Sequence, residues 1–290
     1  ANLLGRSIIR SNSMTSTGTS EIGKFIAHET LRDAQKEMVI DGINALNKQG
    51  FLLAAAPTGI GKTAASLASS IEVARSNQNQ ILFLTGRQSQ HKIVIETVRS
   101  INSNLEKGIS EVKVVDLIGR ESMCEDVDKM TGKCSCEDGI IETSRQSRRD
   151  DMKEYILKNP NHVDDIIEKS KNKKICAWAT ARSAVKDCDI LVCDYNHVFV
   201  ENVSESSLSA MGIDLENTIL IIDEAHNLPD RIRNGLERRA ILRVFRDARD
   251  EIDEFLGTKE RVMKKLDLSE NHDNFDIRGI NETLRQMKKI

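Results

Sequence analysis

At 290 residues the chain exceeds one typical domain and can bury a substantial core, so two or three structural units are expected. Charged residues make up 30% of it while the net charge is only -3, which excludes attraction of nucleic acid by overall charge and requires any such site to be a local basic surface. No apolar run reaches transmembrane length and no signal peptide is evident, so a soluble intracellular chain is expected, whose six cysteines read as thiols or metal ligands.

Residues 1–22, rich in Ser, Thr and Asn, show no sustained period and read as a flexible leader. Leu31 to Leu46 has loosely helical apolar spacing, and Gly50 closes it. Phe51 to Ala55 reads as a buried strand running into Ala56-Pro57-Thr58-Gly59-Ile60-Gly61-Lys62-Thr63. In that loop the glycines let the backbone curl so that successive N–H groups point at phosphate oxygens. Lys62 brings a mobile positive charge to the β and γ phosphates, and Thr63 opens a helix from which its hydroxyl ligates magnesium. Ala56 stands where the first Gly of G-x-x-x-x-G-K-[ST] usually sits.

Ile81 to Thr85 is a second buried strand, followed by a helix from about Gln90 to Ile101, and Val112 to Ile118 is a third strand. Such alternation predicts an α/β fold with a parallel sheet covered on both faces. Between Gly119 and about Lys174 the strand signal stops and charges of both signs take over, with a helical fragment from Arg149 to Leu157; this reads as an insertion. The sheet resumes at Asp189 to Asp194 and again at Thr218 to Ile222. The last run ends in Asp223-Glu224-Ala225-His226, which delivers two carboxylates to the carboxyl edge of the sheet, where the phosphate loop also lies. Asp223 then holds magnesium and Glu224 orients or deprotonates an attacking water. His226 is either a surface histidine or a relay of nucleotide state. After Pro229 the sequence turns charged and helical, with apolar residues at Ile232, Leu236, Ile241, Val244, Phe245, Ile252, Phe255 and Leu256.

Cys124, Cys134, Cys136 and Cys176 can converge from separate loops, and four thiolates at this spacing suit an iron–sulfur core or a structural zinc equally. Cys193 lies in an apolar strand and reads as core, whereas Cys188 has no assignment. Lys169, Lys171, Lys173 and Lys174 run toward Trp178, with Arg182 and Lys186 beyond. They read either as a phosphate-attracting surface beside a stacking face or as a solvated helix face.

The phosphate loop and Asp-Glu-Ala-His together resemble superfamily 2 helicases. Between them, Leu117-Ile-Gly-Arg120-Glu-Ser-Met-Cys124, Gly132-Lys-Cys134-Ser-Cys136, Ile175-Cys176-Ala-Trp178-Ala-Thr-Ala-Arg182 and Ile190-Leu-Val-Cys-Asp-Tyr195-Asn-His197-Val-Phe resemble the iron–sulfur insertion of XPD-type helicases, the group that includes DinG and FANCJ. The resemblance covers about residues 30 to 240. Two departures stand out: one residue separates Cys134 from Cys136, and Ala177-Trp178 replaces the usual Pro-Tyr after the fourth cysteine. The resemblance implies a 5′-to-3′ ATP-driven DNA helicase with RecA-like lobes, a [4Fe-4S] cluster on Cys124, Cys134, Cys136 and Cys176, and a helical arch inserted after the Asp-Glu-Ala-His strand. It implies that Arg32 and Gln35 contact the nucleotide near its base, and that Thr58, Gly59, Ile60, Gly61, Lys62 and Thr63 cradle its phosphates. Arg87, Arg120, Trp178 and Arg182 face single-stranded DNA.

The expected domains are a leader at 1–22, the first lobe at 23–118 and 187–230, the iron–sulfur insertion at 119–186 and the start of the arch at 231–290. A second motor lobe is expected to be missing before Ile290, so that the chain alone binds magnesium ATP weakly and hydrolyses it poorly. Repair-complex proteins are the expected partners, and the cytoplasm and nucleoid, or the nucleus, the expected location. Two other readings stand beside this one: a nucleic-acid-binding scaffold with structural zinc, and a nucleotide-gated switch acting on a protein.

Overall fold

Four apolar runs form the sheet: β1 (Gln80–Leu84), β2 (Val114–Asp116), β3 (Ile190–Cys193) and β4 (Thr218–Ile222). They pair in the order β2-β3-β1-β4, all parallel, with Phe83 opposite both Val192 and Ile221 and with Val115 opposite Leu191. The structure, a computed structural model, describes residues 23–28, 30–57, 59–124, 126–128, 134–236, 250–252, 254–255 and 257.

Strand side chains alternate between the two faces, so each face needs its own cover. On one face Ile81, Phe83, Val114, Ile190 and Val192 pack against Leu67 and Ile71 of α2 (Lys62–Asn77) and against Val94, Ile95, Val98 and Ile101 of α3 (Gln88–Ser103). Outside α2 lies α1 (Asp33–Asn47), whose Val39 meets Ala65 and Ala68. The approach of α1 to α2 requires glycine at Gly42, since a Cβ there would stand 2.6 Å from Ser69 Oγ.

The opposite face is covered by the expected insertion. Leu82, Leu84, Val115, Leu191 and Cys193 pack against Met152 and Ile156 of α5 (Glu142–Lys158), Val163 and Ile166 of α6 (Val163–Lys173) and Ala181 and Ala184 of α7 (Ala177–Ala184). The cysteine-bearing segment is therefore part of the core. Each fully buried aliphatic side chain of this kind contributes about 1.5–3 kcal/mol. A single turn, α4 (Arg120–Met123), precedes Cys124. α8 (Asn196–Phe199) and α9 (Glu201–Met211) follow β3 and α10 (Leu228–Leu236) follows β4, and Phe199, Met211 and Leu228 pack against the same cluster as α5, α6 and α7.

One sequence expectation needs correction. Residues 51–57 form no strand and are not buried: Phe51 is 83% and Leu53 86% exposed. Apolar composition cannot make a parallel strand unless the backbone finds a ladder, and among the described residues this segment finds none. The edge strand beside the open side of the sheet, β4, is only partly covered, with Leu220 39% exposed.

Contacts divide the chain into a unit ending at Gly235 and a second beginning at Leu236. In the second unit, residues 250–252, 254, 255 and 257 are helical. Of the apolar positions expected there, Ile241, Val244, Phe245 and Leu256 lie outside the described residues, as does Thr58 of the phosphate loop.

Candidate nucleotide site and metal centre

Gly59 and Gly61 both adopt left-handed backbone, with φ of +82° and +88°, a region that side chains with a Cβ rarely enter. Gly61 has a second constraint: a Cβ there would lie 2.1 Å from Gln35 Nε2. The turn feeds directly into α2, so Lys62 and Thr63 stand in its first turn, where unpaired N–H groups favour an anion. Lys62 Nζ donates to Ala56 O at 2.8 Å, closing the loop. Arg32 Nη1 donates to Gly59 O at 2.9 Å, and Gln35 Oε1 accepts from Arg32 N at 3.0 Å as the helix cap. The two residues expected near the base are therefore gathered on the phosphate loop itself.

Across the carboxyl edge, Asp223 N donates to Leu84 O at 2.9 Å, so the acids begin where the β1–β4 ladder ends. Burial, together with the charge of Glu224, raises the Asp223 carboxyl above its ordinary range, and the Lys62 ammonium acts in the opposite direction. Lys62 and Asp223 thus share one electrostatic environment. Glu224 has φ +48°, a left-handed conformation that costs a residue with a Cβ about 1–2 kcal/mol. His226 Nδ1 lies 3.2 Å from Glu224 Oε2 and the ring is 72% exposed, so it pairs with the acid at the surface.

The four cysteines expected to converge do so. Their sulfur atoms all lie within 4.8 Å of one another, with Cys124 to Cys134 at 3.0 Å and Cys134 to Cys136 at 2.6 Å. Cys176 caps α7, its sulfur accepting from Ala179 N at 3.5 Å. Burial raises the thiols of Cys124, to about 11, and of Cys136 and Cys176. Burial also opposes ionisation of Cys134, but hydrogen bonds from Cys124, Cys136 and Cys176 outweigh it and lower its pKa. A ligand set of four thiols with no nitrogen or carboxylate fits an iron–sulfur cluster or zinc.

Glu137 is a residue of this centre that sequence reasoning missed. Its Oε1 accepts from Cys176 N at 3.0 Å and from Arg149 Nε at 2.8 Å, and Arg149 Nη2 pairs with its Oε2. The cation expected at Arg120 stands with its Cζ 5.0 Å from the centre of the Trp178 ring, and Arg182 with its Cζ 4.8 Å away. The tryptophan thus carries two cations beside the thiols. Arg87 is exposed at the N-cap of α3, away from this group in sequence but at the same carboxyl edge as the acids. Among the lysines, Lys169 stands over the Tyr155 ring and Lys173 pairs with Asp151 at 3.5 Å. Cys193 is fully buried core, as expected, and Cys188 is buried beside it.

The DEAD_2 family model matches residues 83–239, more than half of the chain, from the end of β1 through β2, β3 and β4. The chain belongs to the DEAD_2 family. A second model, "Type III restriction enzyme, res subunit", matches residues 28–134 of this DEAD_2 chain. Among curated proteins, the ATP-dependent DNA helicase XPD of Sulfolobus acidocaldarius is 28% identical over 225 residues, 74% of this chain and 36% of that protein. The ATP-dependent DNA helicase CHL1 of Kluyveromyces lactis is 30% identical over 81 residues, 28% of this chain and 10% of that protein. The Fanconi anemia group J protein homolog of Gallus gallus is 30% identical over 91 residues, 31% and 7%. The DEAD_2 chain thus spans about a third or less of these relatives. An XPD helicase structure matches with a TM-score of 0.54 at 21% identity, covering 90% of this chain and 47% of that one, which establishes the RecA-like α/β fold. Among the described residues no helix is long and apolar enough to cross a membrane.

Proposed function

We propose that this chain is the nucleotide-binding lobe and cysteine-bearing domain of an XPD-type, ATP-dependent DNA helicase that moves 5′ to 3′ on single-stranded DNA and serves repair. The observation that supports it most is the pairing of a glycine-turned phosphate loop at the start of α2 with Asp223 and Glu224 at the end of β4, where the Lys62 charge acts on the Asp223 carboxyl. Lys62 and the loop amides hold the phosphates of ATP, while Thr63 and Asp223 hold magnesium. Glu224 orients the attacking water, and His226, paired with it, senses the state of the acid. Arg32 and Gln35 brace the loop against α1. Single-stranded DNA lies against Arg87 and against the Arg120–Trp178–Arg182 group.

Cys124, Cys134, Cys136 and Cys176 hold a [4Fe-4S] cluster, which when bound supplies a redox-active crosslink between α4, the following loop and α7. A structural zinc is the second reading, favoured by the narrow 4.8 Å envelope of the sulfurs. A zinc–thiolate bond of about 2.3 Å puts tetrahedral sulfurs about 3.8 Å apart.

Iron, acid-labile sulfide and zinc measured on the anaerobically purified chain separate the two readings. The expected result is about four iron and four sulfide per chain, lost in Cys176→Ser. One zinc without sulfide overturns the cluster and leaves the nucleotide site standing. For that site, Lys62→Ala is expected to weaken magnesium ATP binding at least about tenfold by removing a charge-assisted contact. An unchanged affinity sinks the assignment. Polarity is read from unwinding of duplexes with a 5′ or a 3′ single-stranded tail.

A further inference from the structure

Three strand ends meet at a side chain to which the proposed chemistry gives no part. Tyr195 follows β3, is 1% exposed and is among the largest fully buried side chains of the molecule. Its hydroxyl donates to the backbone carbonyl of Asp223, at the end of β4, with Glu224 O 3.5 Å away. Its ring closes on the turn after β1, where a Cβ on Gly86 would stand 3.0 Å from Tyr195 Cε2. That turn leads directly to Arg87. Arg231 of α10 reinforces the junction, its Nη2 lying 3.4 Å from Gly86 O and 3.7 Å from Asp194 Oδ2.

The bonded carbonyl belongs to the peptide joining Asp223 to Glu224. Its plane sets the φ of +48° that Glu224 adopts and hence the direction of the Glu224 carboxylate. Facing a backbone carbonyl, which can only accept, the phenol is the donor of this hydrogen bond. The ring thus abuts the Gly86–Arg87 turn on one side, while its hydroxyl holds the Asp223–Glu224 peptide on the other.

We propose that Tyr195 is a positioning residue that links the Arg87 turn to the Asp223–Glu224 pair, so that single-stranded DNA at the turn and magnesium nucleotide at the acids alter each other's affinity through its hydroxyl. This rests on the nucleotide and DNA reading above.

The test is a pair of titrations on the full chain. A fluorescent, non-hydrolysable ATP analogue with magnesium is titrated with and without a saturating oligo-dT, and oligo-dT is titrated with and without the analogue. Wild type is expected to show a coupling of about fivefold or more, equal in both directions because linkage is reciprocal. Tyr195→Phe keeps the ring and removes only the hydroxyl. It is expected to bring the coupling toward one while each ligand alone binds within about twofold of wild type and Tm is unchanged. A merely structural role lowers Tm and both affinities together, and that pattern overturns the proposal. So does full coupling in Tyr195→Phe, or wild type that binds both ligands without coupling; both outcomes leave the Lys62-dependent nucleotide site intact. Nucleotide binding insensitive to Lys62→Ala instead overturns the underlying reading and this proposal with it. Should Tyr195→Phe fail to fold, Arg231→Gln, at a half-exposed position, is expected to reduce the coupling at unchanged Tm, and undiminished coupling there overturns the proposal.

Discussion

Glu137 follows Cys136 directly and accepts the amide hydrogen of Cys176, so one carboxylate joins two stretches of chain that each bring a sulfur to the cluster of thiols. Burial works to raise its pKa, but hydrogen bonds from Arg149 and the Cys176 amide, with the charges of Arg149 and Arg145, bring it below the ordinary 4.5. A depressed carboxylate stabilises the fold above its unfolded pKa, and that contribution is lost as pH falls through the folded value. Glu137→Ala leaves the Cys176 N–H without its acceptor and Arg149 without the carboxylate it is hydrogen-bonded to, while Arg145 keeps Glu142 at 3.0 Å. The substitution is expected to cost about 2 kcal/mol. Urea unfolding and metal content measure it. The variant should be less stable at pH 7, hold less metal, and lose less stability than wild type between pH 5 and about pH 3. Metal content and stability equal to wild type would remove Glu137 from the centre. The sequence concealed this role because the partners of Glu137 stand 12 and 39 positions away. The phosphate loop and the acid pair were legible because their chemistry is local: two glycines before Lys62, and two acids ending one apolar run.

Among the elements, β1, β3 and β4 were readable because each is a short apolar run between polar turns and each is laddered on at least one side. The run from Phe51 has the same composition and forms no strand, because a strand is defined by its neighbour and composition carries no information about neighbours. The cover of the sheet by α5, α6 and α7 was also hidden, since Met152 and Ile156 are the only buried residues in a long, highly charged α5. What fastens that cover is the end of β2. Asp116, 0% exposed, accepts from His91 Nδ1 of α3 at 2.5 Å and from Val163 N at the start of α6 at 2.9 Å, with His162 Nε2 3.8 Å away. One carboxylate thereby binds helices on opposite faces of the sheet. Asp116→Ala strands a buried imidazole and a buried amide, so a loss of about 3–5 kcal/mol is expected in urea unfolding. Hydrogen exchange at Val163 should rise more than exchange at the centre of β1. Equal loss of protection at both positions would mean that Asp116 stabilises the molecule without specifically seating α6.

For the molecule as a whole, a net charge of -3 gives DNA no general attraction, so affinity has to come from a few placed cations. Their number is measurable, because each single-stranded phosphate neutralised contributes about -0.7 to the slope of log affinity against log salt. Arg87, Arg120 and Arg182 together predict a slope of about -2 for oligo-dT, and each Arg→Ala should reduce its magnitude by about 0.7. Two alternatives give different numbers. Engagement of the lysine run from Lys169 to Lys174 as well would take the slope to about -5, and that requires Lys173 to leave Asp151 and Lys169 to leave the Tyr155 ring. Bases stacked on Trp178 would give binding that survives high salt but not Trp178→Ala, and that requires the ring to give up the guanidinium groups of Arg120 and Arg182. Keeping those contacts favours a tryptophan that orients two cations toward phosphate. Trp178→Phe should then retain most of the affinity and the same slope, since a smaller aromatic face still attracts the guanidinium groups, although less strongly.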